Sequence, residues 1–207
     1  MLRMVCAVLS ASAANAVILP APVLAADWLD DVYVGARLSV NDSDENNLVF
    51  DETLGGAIFV GKPVWKGFRI EAELSRREPD IEKISVATVN GQLNATGAIL
   101  MVYYDFRKPE KELRPFVGFG AGAAKLSASA KGARGGEPIT LHTSNTKRAI
   151  QGAVGLSWRL HPKMALELAA VYFETENKIF NGDFGNNTAF EGFYRSYGGS
   201  LGFRRAF

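Results

Sequence analysis

His142-Thr143-Ser144-Asn145 sets an imidazole and a hydroxyl two residues apart, the groups that a hydrolytic base and its nucleophile would supply. Such a pair works only if an acid orients the imidazole and a rigid frame holds the geometry. The surrounding stretch, about 125–148, is rich in Gly, Ser and Ala and reads as a long loop, so His142 is expected to be a solvated loop residue. His161 stands before Pro162 in a turn-like segment and reads as structural. Asp42-Ser43-Asp44-Glu45-Asn46 resembles the opening of a calcium loop, but Asn47 replaces the glycine at the sixth position and Thr53 the glutamate at the twelfth, which excludes an EF-hand. Gly118-Phe119-Gly120-Ala121-Gly122 has dinucleotide-like spacing, yet here the glycines alternate with apolar residues inside a strand instead of leading into a helix. The lone cysteine, Cys6, lies in the leader described below. No catalytic residue, metal or cofactor is expected.

Two charged groupings carry more weight. Arg37, Arg69, Glu71, Glu73, Gln151, Arg159 and Glu167 share one parity on segments that alternate with period two. Charges of both signs on a face turned away from lipid must be paired, so they are expected to form a salt-bridge and hydrogen-bond network; an ion or proton path is the functional alternative. Lys125, Lys131, Arg134, Lys147 and Arg148 cluster in the 125–148 stretch and form a candidate anion-binding loop that could meet lipopolysaccharide phosphates or an anionic partner. The chain as a whole carries 23 Lys and Arg against 22 Asp and Glu, a net charge of +1, so no field draws it to nucleic acid.

These residues need a frame, and the sequence supplies one. Residues 1–26 read as a secretory signal peptide: Arg3 gives a positive start, Met4 to Leu19 are apolar or small, and Val23-Leu24-Ala25-Ala26 ends in small residues before the polar Asp27. Beyond it no apolar run is long enough for a spanning helix. Instead eight segments show alternating apolar side chains: Val32–Val40, Leu54–Lys62, Gly67 to about Arg77, about Ala95–Phe106, Leu113–Ala124, Ala149–Leu160, Met164–Phe173 and about Phe193–Phe207. The fourth is apolar on both faces, which leaves its register open. Connections alternate in length, with short turns at 63–66, 107–112 and 161–163 and long polar stretches near 41–53, 78–94, 125–148 and 174–192. An even strand count with this parity predicts a closed antiparallel transmembrane barrel, an up-and-down meander over residues 27–207, with a soluble sandwich or lipocalin-like barrel as the alternative. Trp28, Trp65 and Trp158, with Tyr103, Tyr104, Phe106, Phe203 and Phe207, then fall at the short-turn end as an aromatic girdle.

The ending Ser196-Tyr197-Gly198-Gly199-Ser200-Leu201-Gly202-Phe203-Arg204-Arg205-Ala206-Phe207 resembles the terminal strand of bacterial outer-membrane proteins, whose last aromatic is read by the barrel assembly machinery. Tyr103-Tyr104-Asp105-Phe106, followed by Arg114-Pro115-Phe116-Val117-Gly118-Phe119-Gly120-Ala121-Gly122, is similar to the central strands of the small Opa-like and OmpA-like outer-membrane barrel domains. The resemblance implies an outer-membrane location, Phe207 as assembly signal, contact with outer-membrane lipid and lipopolysaccharide, and a non-enzymatic role in envelope integrity or surface interaction. His142 to Asn145 also resembles the His-x-Ser-Asn motif of outer-membrane lipid A deacylases. That motif lies on the penultimate strand, which here reads Leu168-Ala169-Ala170-Val171-Tyr172-Phe173 and lacks both His and Ser. A small-solute pore and a lipid A-modifying acyl hydrolase remain the alternatives. With roughly 23 residues per strand and connection, eight strands are accommodated and a wide porin is not; the interior of so small a barrel is nearly filled by side chains.

Overall fold

A computed structural model describes residues 31–207 apart from 46–47, 51–52, 85–86, 107–111, 135–136, 177–179, 182–188 and 191–193. The strands in chain order are β1 Tyr33–Glu45, β2 Leu48–Phe50, β3 Thr53–Trp65, β4 Phe68–Arg77, β5 Asp80–Ile84, β6 Ala87–Asp105, β7 Leu113–Arg134, β8 Glu137–His161, β9 Met164–Thr175, β10 Phe180–Asn181, β11 Ala189–Phe190 and β12 Arg195–Ala206. Eight of them, β1, β3, β4, β6, β7, β8, β9 and β12, pair antiparallel with their neighbours in sequence order. The ring closes where β12 returns to β1, from Tyr33 opposite Ala206 to Asp44 opposite Arg195. The short β2 and β5 extend it at the far end, where Leu48 lies opposite Ile84.

Alternation decides which way each side chain points. On β4, Arg69, Glu71, Glu73, Ser75 and Arg77 are buried while Ile70, Ala72, Leu74 and Arg76 are exposed. Leu38 is 72% exposed and Leu54 79%, whereas Arg69 is 1% exposed and Glu71 0%. A soluble sheet protein would put these the other way round, so the outer wall is built for hydrocarbon. The register left open on the fourth segment resolves with Ile99, Met101 and Tyr103 inward and Leu100 and Val102 outward. Tyr103 therefore leaves the expected girdle, because adjacent strand residues cannot share a face. Its ring covers Gly118, its cross-strand partner, where an added Cβ would collide with the ring.

The strands run further than alternation alone suggests. β6, β7 and β8 hold 19, 22 and 25 residues, about twice what a tilted crossing of the bilayer takes. Residues 87–94, 125–134 and 137–148, read from sequence as loops, are paired strand: Gln92 lies opposite Ser129 and Ser129 opposite His142. Pro63, Val64 and Trp65 likewise belong to β3, leaving Lys66-Gly67 as the turn. Gly67 takes φ +88°, a left-handed conformation that suits glycine.

Candidate functional site

The candidate site is the barrel interior, built from one parity of strand residues. Arg37 on β1 donates to Glu73 Oε2 at 2.5 Å, to Glu71 Oε2 at 2.6 Å and to Glu167 Oε2 at 3.2 Å. Arg69 on β4 pairs with Glu71, with Asp105 Oδ1 at 3.3 Å and with Glu167 Oε1 at 3.1 Å. Tyr33 donates its hydroxyl to Glu71 Oε1 at 2.8 Å. Gln151 on β8 donates to Glu73 Oε1 at 2.8 Å and accepts from Arg77 Nη2 at 3.4 Å. Arg204 on β12 reaches Glu167 Oε1 at 3.4 Å and Ser157 Oγ at 3.2 Å. Glu71 and Glu73 each accept from more than one donor and Glu167 is ion-paired with three arginines, which is what charge held out of water requires.

Rings complete the wall of the network. The Arg37 guanidinium lies 3.9 Å from the Phe59 centroid, Arg69 4.1 Å from Tyr103, and Arg77 4.4 Å from Phe173. Guanidinium faces are weakly hydrated and stack on aromatics while their edges hydrogen bond, so each arginine is contacted in both directions. Arg37, Glu73, Ser75, Arg77, Tyr103 and Gln151 border an interior void of only about 20 Å³, room for a single water.

Six of the seven sequence-derived lumen residues, Arg37, Arg69, Glu71, Glu73, Gln151 and Glu167, are brought together. Arg159 is not: it lines a vestibule at the short-turn mouth and makes no ion pair among the described residues. The β8 register shifts between Arg159 and His161, which marks the end of the ladder there. Sequence reasoning missed Tyr33, Arg77, Asp105 and Arg204. The same parity would have found them, since Arg77 continues the series from Arg69 and Arg204 lies between the outward Phe203 and Arg205.

Outside, the aromatic girdle at the short-turn end forms a chain of ring contacts, stacked between Trp65 and Phe68, tilted between Phe68 and Tyr104 and edge-on between Tyr104 and Phe106. Trp65 lies 5.8 Å from Phe68, Phe68 4.9 Å from Tyr104, and Tyr104 5.0 Å from Phe106. Trp158, Phe203 and Phe207 continue it around the rim, each exposed; Trp28 lies outside the described residues. At the other end Tyr172 and Tyr197 face out, Tyr172 bonded to Glu174 and Tyr197 to Asp42 at 3.2 Å. Ten residues separate Tyr197 from Phe207, which spans about 26 Å of height at a tilt of roughly 40° and matches an apolar band of about 25 Å.

The basic cluster and the His-Ser pair look different in three dimensions. Lys147 and Arg148 are consecutive on β8, so they point to opposite faces of a paired strand and do not share a loop. Lys131 and Arg134 lie on β7, with side chains outside the described residues. His142 and Ser144 are also on β8, correcting the loop placement; the His142 side chain is outside the described residues, and Ser144 Oγ hydrogen bonds Ser127 Oγ at 3.0 Å. Among the described residues no three His, Cys, Asp or Glu groups are placed to hold a metal ion.

Comparison with known proteins bears on the architecture. The family described as outer membrane protein beta-barrel domain matches residues 5–197. Among solved structures, neisserial surface protein A is similar at 19% identity and a TM-score of 0.53, covering 86% of this chain and 98% of that one. OprG from Pseudomonas aeruginosa matches at 10% identity and a TM-score of 0.53, covering 86% and 97%. The outer membrane protease OmpT from Escherichia coli matches at 9% identity and a TM-score of 0.53, again covering 86% and 97%. At such identities the likeness is one of fold alone. No curated protein matches the chain by sequence.

Proposed function

The chain belongs to the outer membrane protein beta-barrel family, and from that premise we propose that it is a non-enzymatic outer-membrane protein, its lumen plugged by its own side chains, that serves envelope integrity or surface interaction through its long hairpins. The observation that carries this reading is the interlocked set of Arg37, Arg69, Glu71, Glu73 and Glu167 across the middle of the barrel. A solute would have to break several buried ion pairs at once, and removing a partner from one such pair costs several kcal/mol. The roughly 20 Å³ void beside them leaves no room for hydrated ions.

The exterior fits the same reading. Arg76, Lys125 and Arg148 face outward near the end of the apolar wall that carries the long hairpins, at a height suited to lipopolysaccharide phosphates. Export through a cleaved leader at residues 1–26 and recognition by the barrel assembly machinery belong to this proposal. Planar-bilayer recording of the purified protein tests the plug. The expected result is the absence of large, steady, stepwise conductance, and reproducible porin-sized steps from the unmodified chain would overturn it.

A further inference from the structure

Below the plug, at the end that carries the short turns, the barrel opens into a vestibule of about 380 Å³. This is within the size range of small-ligand sites. Among the described residues five cationic side chains line it, Arg69, Arg114, Arg159, Arg204 and Lys163, against two carboxylates, Asp31 and Asp105. One of those carboxylates, Asp105, is already engaged by Arg69 at 3.3 Å. An excess of cations in a concave, low-dielectric mouth focuses potential on whatever enters it.

Their placement follows from the strand register. Arg159 on β8 and Arg204 on β12 are both cross-strand partners of Ala165 on β9, so the small Ala165 side chain stands between two guanidinium-bearing strands. Arg114 on β7 is opposite Ser157, two residues from Arg159. Two strand spacings separate Arg159 from Arg204, about 10 Å between backbones, and small residues occupy the wall between them. That gap suits an anion that both guanidinium forks can approach from the sides. Arg204 is held by Glu167 at 3.4 Å and Ser157 at 3.2 Å, while Arg159 makes no ion pair among the described residues. Arg114, Arg159 and Arg204 thus border the same open space.

We propose that this vestibule is a binding site for a small polyvalent oxyanion, a phosphate- or carboxylate-bearing ligand entering at the short-turn end, which in outer-membrane barrels faces the periplasm, gripped by Arg114, Arg159 and Arg204. Planar guanidinium forks match phosphate and carboxylate oxygens bidentately, which a diffuse cluster of lysines does not. The site lies below the plug and does not depend on the lumen's being closed, so it stands or falls separately from the conductance test.

The test is isothermal titration calorimetry of the full chain folded in dodecyl maltoside micelles, with inorganic pyrophosphate in one arm and citrate in the other, at about 150 mM sodium chloride to screen non-specific attraction. One saturable site per chain is expected, and the arm that binds more tightly identifies the ligand class. Arg159→Gln and Arg114→Gln should each weaken binding at least tenfold, while Lys147→Gln, at the far end of the barrel, should not change it. Fold retention is read from mobility on an unheated gel. If an arginine variant does not fold, Lys163→Gln at the rim replaces it and should weaken binding severalfold. No saturable heat with either anion, or isotherms unchanged in the mouth variants, would overturn the proposal.

Discussion

Glu71 is where the interior is most exposed to single-residue damage. It is fully buried and receives Arg37, Arg69 and the Tyr33 hydroxyl, so its removal leaves two guanidinium groups short of countercharge in a space closed to water. Replacing one partner of a buried pair is far more costly than replacing both with apolar groups. Glu71→Ala is therefore expected to destabilise the folded barrel by about 3–5 kcal/mol, read as a lowered urea midpoint in micelles. Glu174→Ala, which removes a half-exposed partner of Arg195 on the outer wall, should leave that midpoint nearly unmoved, because solvent already screens the pair. Equal shifts for the two variants would mean that the lumen charges are hydrated and not interlocked.

At the scale of elements, the β7–β8 hairpin divides into two parts with different support. Its lower half lies within the closed ring, where β8 also pairs with β9 from Ala149 onward. Its upper half, through Ser127 and Ser144 to Arg134 and Glu137, is held to β6 on one side and by its own ladder. Excising residues 129–142 and rejoining the strands with an Asn-Gly turn is expected to leave the barrel intact, seen as an unchanged shift between unheated and boiled gel mobility; loss of that shift would show that the hairpin tip is needed for closure. This division also explains what the sequence made legible. Where one face meets lipid, as along Phe68 to Arg77, period-two alternation is sharp and the strand can be read directly. Above the bilayer neither face meets lipid, so although Lys125, Ser127 and Ser129 alternate with Leu126, Ala128 and Ala130, one parity is polar and the other mostly small, and the stretch passes for a loop. Most of the site was legible for the same reason, because Arg69, Glu71 and Glu73 are charged amid apolar neighbours. Arg204 was masked by the adjacent Arg205, and Arg159 was misplaced because parity gives direction but not height along the strand.

As a whole molecule the barrel has an apolar wall, an aromatic rim and a charged interior, and this inside-out distribution dictates where it can exist. The protein is expected to fractionate with the outer membrane, to run faster unheated than boiled, and to begin near Ala26 or Asp27 once exported; recovery from the soluble periplasm would contradict this. The interior network has a further role during assembly. Arg37 on β1 reaches Glu167 on β9 across the seam where β12 meets β1, so that pair does not form in an unclosed sheet. A one-residue slip of β4 would turn Arg69, Glu71 and Glu73 toward hydrocarbon and Ile70, Ala72 and Leu74 inward. An arginine on the lipid face costs about 2–4 kcal/mol near the midplane, besides the buried partners it abandons. The ion pairs thus discriminate among ways of closing the sheet: only one that is closed and in register satisfies them all.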